Sequence, residues 1–261
     1  MQHVTPLPSA ALFFRALPQQ PVRPRATPRA SMRASDINAE AYLAGAVSVG
    51  PRRGMLGALV EAEHLLRNQA LALLLLLLLA PLMVLVILLI WWHDGAPAFY
   101  GHYRVGHDGK LFRCLKFRSM RRDAESALAA LLARSPEARA EWQRDQKLRH
   151  DPRVTPIGKL LRRTSLDELP QLFNVLRGEM SLVGPRPVTA GELTRYGRAR
   201  WHYLSVRPGI TGLWQVSGRN NTTYEERVAL DKLYVERRTA WFDARILLKT
   251  VPVVLARHGA S

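Results

Sequence analysis

ALALLLLLLLAPLMVLVILLIWW, Ala70 to Trp92, is a run of 23 apolar residues. As a straight helix it would be about 34 Å long, enough for a hydrocarbon layer of about 30 Å, so the simplest reading is a spanning helix. Two features favour another. Pro81 divides the run, and proline in a helix interior costs about 3 kcal/mol or more unless a bend accommodates it. The flanks are also both basic, with Arg52, Arg53 and Arg67 before the run and Arg104, Lys110 and Arg113 after it. Positive charge beside a membrane segment marks the cytoplasmic side. A helix that enters, breaks at Pro81 and leaves by the same face puts both flanks there, which predicts a monotopic, re-entrant anchor over residues 56–92.

Outward from this run the chain divides unevenly. Toward the N-terminus, the first 35 residues hold five arginines, no acid and six prolines. Residues 1–55 therefore read as a disordered Arg/Pro/Ala-rich leader. Toward the C-terminus, residues 93–261 carry 30 basic and 17 acidic side chains and read as a compact cytosolic catalytic domain. The expected class is α+β, predominantly helical. The whole chain of 261 residues has 38 Lys+Arg against 21 Asp+Glu, a net charge of +17 that favours an anionic partner. Its single cysteine, Cys114, excludes an intramolecular disulfide and a multi-thiolate metal site.

Within the last 169 residues, YRVGHDGKLFRCLKFRSM (103–120) alternates apolar and basic residues around Asp108-Gly109 and reads as a β-hairpin carrying Lys116 and Arg118. Residues 123–148 are helical in pattern and interrupted at Ser135-Pro136. In LRRTSLDELPQLFNVLRGEMSLVGPRP (161–187), Ser165 and Glu168 have capping-box spacing. The apolar residues Leu166, Leu169, Leu172, Phe173 and Leu176 recur at helical spacing until Arg177-Gly178. Asp167 and Glu168 then fall in a helix's first turn, where capping alone would explain them. Arg162 and Arg163 upstream and Arg186 in a rigid Gly-Pro-Arg-Pro turn point instead to phosphate. Carboxylates placed among phosphate-binding groups suggest a bridging divalent cation or a phosphoryl-transfer nucleophile. In RPGITGLWQVSGRN (207–220), Trp214 and Arg219 offer a stacking surface and an anion contact, although a structural loop with one core Trp fits nearly as well.

Four blocks in order, KFRSM (116–120), DPRVTPIG (151–158), RRTSLDELPQLFNVLRGEMSLVGPRP (162–187) and RPGITGLWQVSGRN (207–220), resemble the bacterial sugar transferases over roughly residues 67–260. These are monotopic phosphoglycosyl transferases, and the resemblance looks closest to exopolysaccharide galactosyl-1-phosphate transferases. It implies transfer of a hexose-1-phosphate from a UDP-sugar, UDP-galactose or UDP-glucose, to polyprenyl (undecaprenyl) phosphate with release of UMP. This would be the first membrane step of exopolysaccharide or capsule assembly, at the cytoplasmic face of a bacterial inner membrane, with downstream glycosyltransferases as further partners. Asp167 matches the nucleophile that forms a phosphosugar-aspartyl intermediate, and Glu168 the adjacent carboxylate, the pair holding Mg²⁺ or Mn²⁺. Lys116, Arg162 and Arg186 match phosphate-binding residues. Arg118, Arg207 and Arg219 stand in the same blocks and are taken as substrate-binding. Departures fall at the membrane entry, where His64, Leu65, Asn68 and Ala80 replace the more usual residues.

Three other readings compete with this one. An N-acetylated amino sugar would serve glycoprotein or O-antigen assembly by the same reaction. A non-catalytic membrane scaffold is disfavoured by the intact Asp167-Glu168 pair. Nucleic-acid binding is disfavoured because acids are interspersed among the cations rather than excluded from a basic patch.

Overall fold

The computed structural model describes residues 54–145, 148, 151–218 and 222–255. All of the expected leader except its last two residues lies outside them. Helix α1 (Met55–Asp94) is 40 residues long, about 60 Å at 1.5 Å per residue. It is, among the described residues, the one helix long and apolar enough to cross a membrane. The break expected at Pro81 is absent, and the helix continues through it. A proline removes only its own rung of the hydrogen-bond ladder, and strong helix formers on both sides carry the helix across the gap.

One face of α1 is buried on both sides of Pro81: His64, Asn68, Ala72 and Leu76 before it, Met83, Val86 and Ile90 after it. The apolar members of this stripe belong to the same core as Phe112, Phe117, Leu172, Val175 and Met180. The other face exposes Leu74, Leu77, Leu78, Leu85 and Leu88. Both ends of the apolar run are also hydrogen-bonded to one body. Asn68 Oδ1 accepts from the Leu182 N–H at 2.8 Å, and Gln69 Nε2 donates to the Leu176 carbonyl at 2.8 Å. At the far end Arg118 Nη2 donates to the Asp94 carbonyl at 2.9 Å and lies 3.0 Å from its carboxylate.

The expected hairpin is present as antiparallel β1 (Phe99–Val105) and β2 (Leu111–Phe117). Asp108 (φ 55°) and Gly109 (φ 74°) take the left-handed conformations that make an Asp-Gly turn tight. The interruption at Ser135-Pro136 is also found, separating α2 (Ala124–Arg134) from α3 (Pro136–Asp145), and Ser135 Oγ accepts from the Ala138 N–H at 3.1 Å. In DPRVTPIG, Thr155 caps α4 (Pro156–Arg163) by accepting from the Gly158 N–H, with Pro156 at the first helical position. Gly158 is required sterically, since a Cβ there would lie 1.9 Å from the Ser119 carbonyl oxygen.

The single helix expected from Leu166 to Leu176 is replaced by a 3₁₀ turn, Leu166–Glu168, followed by α5 (Gln171–Leu176). Pro170 has no N–H to bond the Leu166 carbonyl, so the chain winds more tightly there; the Leu169 N–H reaches that carbonyl at 3.2 Å. Nor does Ser165 cap: it lies at φ 57° with no side-chain cap bond. Capping boxes form instead at Thr189/Glu192, opening α6 (Ala190–Thr194), and at Thr223/Glu226, opening α9 (Tyr224–Arg237). Short strands β3 (Ser181–Val183) and β4 (Gly209–Thr211) pair in parallel, flanking α7 (Arg200–Leu204) in sequence. After β4 come α8 (Leu213–Ser217) and, following α9, the C-terminal α10 (Ala240–Leu255). The fold is thus mainly helical with two small sheets, as its class predicted.

Candidate active site

Asp167 and Glu168 sit on a turn fixed from both sides. Upstream, the left-handed Ser165 redirects the chain after α4, a conformation that costs a non-glycine residue roughly 1–2 kcal/mol. Downstream, the fully buried Asn174 of α5 takes the place of a neighbouring strand for β2. Its Oδ1 accepts from the Leu115 N–H at 3.0 Å, and its Nδ2 donates to the Arg113 carbonyl at 2.9 Å and to Glu179 at 2.6 Å. This amide clamps β2, which carries Lys116, to the segment that carries the two carboxylates.

Lys116 Nζ then donates to Glu168 Oε1 at 2.7 Å and lies 3.9 Å from Asp167 Oδ2. Arg186, delivered by the Gly184–Pro187 turn after β3, places Nη1 3.5 Å from the same Glu168 oxygen. Arg162, in the last turn of α4, donates from Nε to Ser119 Oγ at 2.9 Å. Two cations, Lys116 and Arg186, therefore lie against the carboxylate pair, and Arg162 adds its charge from a third element. Asp167 is only 8% exposed, and this burial is the largest influence on it, pushing its carboxyl above the usual range. Lys116 opposes that shift, Glu168 adds to it, and Arg162 and Arg186 pull down. The positive field thus offsets burial without overcoming it. The charge of Glu168 in turn holds the Arg186 guanidinium firmly protonated.

Not every expected residue joins this cluster. Arg118 is tied to the C-terminal end of α1, through Asp94 and Gly95. Arg207 is paired with Glu61 of α1 and donates from Nε to the Gly178 carbonyl at 2.8 Å; Arg238 holds the other Glu61 oxygen at 2.7 Å. In this arrangement both arginines fasten α1 to the rest of the molecule. Arg219 lies outside the described residues. Trp214 is buried, with the Arg227 guanidinium 4.7 Å from its ring centre.

A narrow pocket of about 20 Å³ beside the carboxylates adds residues that motif reading missed: Arg104, Cys114, Gln171, Pro187 and Ile210 join Lys116, Glu168 and Arg186 in lining it. The hairpin register held the signal. Arg104 faces Phe112, His102 faces Cys114 and Tyr100 faces Lys116, and directly opposed residues share a sheet face. Arg104 is held there by Glu192, whose Oε2 accepts from its Nη1 at 2.8 Å. Cys114 is buried, which pushes its thiol up and keeps it unreactive.

Among the described residues no three His, Cys, Asp or Glu side chains converge as a metal cage. Two hard carboxylates suit a cation that completes its shell with phosphate oxygens and water, so the donor set fits Mg²⁺ or Mn²⁺ held jointly with a substrate.

Comparison with known proteins agrees with the motif resemblance. The undecaprenyl-phosphate galactose phosphotransferase of Salmonella typhimurium is 59% identical over 167 residues, 64% of this chain and 35% of that protein. The exopolysaccharide production protein ExoY of Rhizobium meliloti is 50% identical over 167 residues, covering 64% of this chain and 74% of ExoY. A UDP-glucose:undecaprenyl-phosphate glucose-1-phosphate transferase of Xanthomonas campestris is 40% identical over 172 residues, 63% of this chain and 33% of that protein. The chain thus spans about a third of the length of the Salmonella and Xanthomonas proteins. Residues 64–257 match the model of the bacterial sugar transferases, a span that holds the carboxylate turn, its three cations and the whole apolar run, and the chain belongs to that family.

Proposed function

We propose that this protein transfers a hexose-1-phosphate from UDP-galactose or UDP-glucose to polyprenyl phosphate, releasing UMP, as the membrane-committing step of exopolysaccharide assembly. The observation that carries the reading is the placement of Lys116 and Arg186, from separate elements, against Asp167 and Glu168, with the charge of Arg162 adding to their field. The names of the relatives, which specify galactose and glucose, support the choice of sugar.

Phosphoryl transfer is chiefly positioning and charge neutralisation, because a diphosphate repels an anionic nucleophile. A carboxylate oxygen of Asp167 attacks the sugar-bearing phosphorus. The phosphorus–oxygen bond to UMP breaks, and its electron pair leaves on UMP. A phosphate oxygen of the polyprenyl acceptor then attacks the aspartyl-bound phosphorus, forming the lipid diphosphate sugar and freeing Asp167. Lys116 and Arg186 stabilise the charge that builds on the phosphoryl oxygens, and Lys116 also favours the ionised form of the buried Asp167. Asp167 and Glu168 would hold Mg²⁺ or Mn²⁺, whose charge would neutralise the diphosphate.

The acceptor's phosphate stays at headgroup level, so the site must lie there too. Hydrogen bonds from both ends of the apolar run to one body support a re-entrant anchor with the catalytic segment on the cytoplasmic face of the inner membrane. A spanning helix would leave one end of the run on the far side of the bilayer, out of reach of that body. Pro81 removes one rung from the continuous helix, which makes it the position where bending costs least.

The test is incubation of the purified full chain with UDP-sugar alone. Up to one equivalent of UMP and a hexose-phosphate mass on the Asp167 peptide are expected, with ping-pong kinetics once acceptor is added. Asp167→Asn should abolish turnover and adduct while leaving the fold intact. If UMP is released only when both substrates are present, transfer is direct and Asp167 is a metal ligand.

A further inference from the structure

A cleft of about 200 Å³ lies between α8 and α10, lined by Leu213, Val216, Phe242 and Ile246 together with Arg245 and Lys249. The two cations stand one turn apart on α10, both exposed, and among the described residues neither is ion-paired. On the solvent side of the same helix Trp241, Leu248 and Val251 are 68%, 69% and 57% exposed. The Arg245 guanidinium lies 5.9 Å from the Trp241 ring centre, and exposed aromatic and aliphatic side chains interleaved with cations suit the boundary between headgroups and acyl chains.

The height of α10 is set by its first turn. Asp243 Oδ2 lies 3.1 Å from His64 Nε2 and 3.9 Å from Arg67 Nη2, and its Oδ1 accepts from the Tyr234 hydroxyl at 2.8 Å. His64 and Arg67 immediately precede the start of the apolar run at Ala70, so α10 is pinned to α1 where α1 meets the membrane. The cleft shares no lining residue with the catalytic pocket. A lipid headgroup fixed by Arg245 and Lys249 is therefore not the group presented to Asp167.

From the apolar lining, the paired cations and the attachment of α10 beside the membrane-entry segment, we propose that this cleft binds an anionic phospholipid of the surrounding bilayer. One acyl chain lies against Leu213, Val216, Phe242 and Ile246, and the phosphate is held by Arg245 and Lys249. The inference rests on reading α1 as the bilayer anchor.

The test is native mass spectrometry of the full chain in mild detergent, titrated with dioctanoyl phosphatidylglycerol and, separately, with dioctanoyl phosphatidylcholine. The wild-type chain should bind the glycerol lipid preferentially. The double variant Arg245→Gln/Lys249→Gln should weaken that binding about 30-fold, roughly fivefold for each surface cation, and leave phosphatidylcholine binding unchanged. Val216→Trp, which fills the cleft, should remove the preference with both cations in place. Equal binding of the two lipids by the wild-type chain, or a preference untouched by these variants, overturns the proposal. So does displacement of phosphatidylglycerol by farnesyl phosphate with a raised acceptor KM in the double variant, which would assign the cleft to the substrate. Sedimentation with phosphatidylcholine vesicles tests the anchor separately, because failure to pellet would refute the reading of α1 whatever the cleft binds.

Discussion

Replacing Asp231 with asparagine should stabilise the protein at pH 8 and do little at pH 5. Asp231 lies on α9, only 2% exposed, and burial lifts its carboxyl from 3.8 to about 7; one hydrogen bond, from the Tyr196 hydroxyl to Oδ2 at 2.8 Å, opposes the shift. Its Oδ1 is buried without a partner. Because the folded state binds this proton more tightly than the unfolded state, stability is fully present below about pH 4 and falls as pH rises toward 7. A difference of about 3 pKa units corresponds to about 4 kcal/mol lost by pH 8, and to less than half of that at pH 5. Asparagine is never charged and still accepts from Tyr196, but its amide N–H group at the Oδ1 position would be unpaired, at about 1–3 kcal/mol. The net gain at pH 8 is then about 1–3 kcal/mol, roughly 2–10 °C in Tm for a chain of this size. The change in the variant's advantage between pH 5 and pH 8, about 3 kcal/mol, does not depend on that amide. Thermal unfolding of both proteins in the same detergent, followed by near-UV circular dichroism, reads it directly. The same Tm offset at both pH values would refute the reasoning.

Asn174→Ala leaves the half-buried Leu115 N–H and Arg113 carbonyl without the partner that Asn174 supplies, so about 1–3 kcal/mol of stability should be lost by thermal unfolding. UMP release should fall along with it, because Lys116 is no longer held against Glu168. Lys116→Met should slow adduct formation by about 10²-fold or more in single-turnover assays, the scale for one charge-stabilising group, whereas near-wild-type rates would remove Lys116 from the mechanism. Chelation by EDTA should stop turnover and added Mg²⁺ or Mn²⁺ restore it; full activity in EDTA would exclude the metal. Pro81→Leu should shift α1 toward a spanning orientation, read by thiol labelling of a Cys at position 48, which should become reachable from the periplasm only in the variant.

The hairpin, the Ser135-Pro136 interruption and the end of α5 at Gly178 were all legible because each is set by local chemistry: an Asp-Gly turn, a Ser-Pro helix start, a left-handed glycine. The turn bearing the carboxylates was misread for an equally local reason. Ser-x-x-Glu has the spacing of a capping box, but Pro170 two residues later denies the first α-helical hydrogen bond. Asp167, Glu168, Lys116, Arg162 and Arg186 stand in dense motifs, and the fold brings their charges into one region. Arg118 and Arg207 stand in the same motifs yet face α1, and nothing local distinguishes an arginine that holds phosphate from one that holds a helix. Their partners, Asp94 and Glu61, lie 24 and 146 residues away. Arg104 was missed as a site residue although register alone places it on the Lys116 face.

The contacts that seat the start of α1 have a consequence for biogenesis. His64, Asn68, Arg207 and Arg238 link it to segments 114 to 179 residues away in the chain. At about 5–20 residues per second, the apolar helix leaves the ribosome on the order of ten seconds or more before those partners exist. During that interval the tertiary contacts that seat α1 are missing, and only Pro81 and the basic flanks oppose straight insertion of a 23-residue apolar run. Final topology is therefore decided twice, once by the insertion machinery reading Pro81 and the basic flanks, and again when the C-terminal helices arrive and capture Glu61 and His64. A nascent chain arrested before residue 207 has only the first of these decisions.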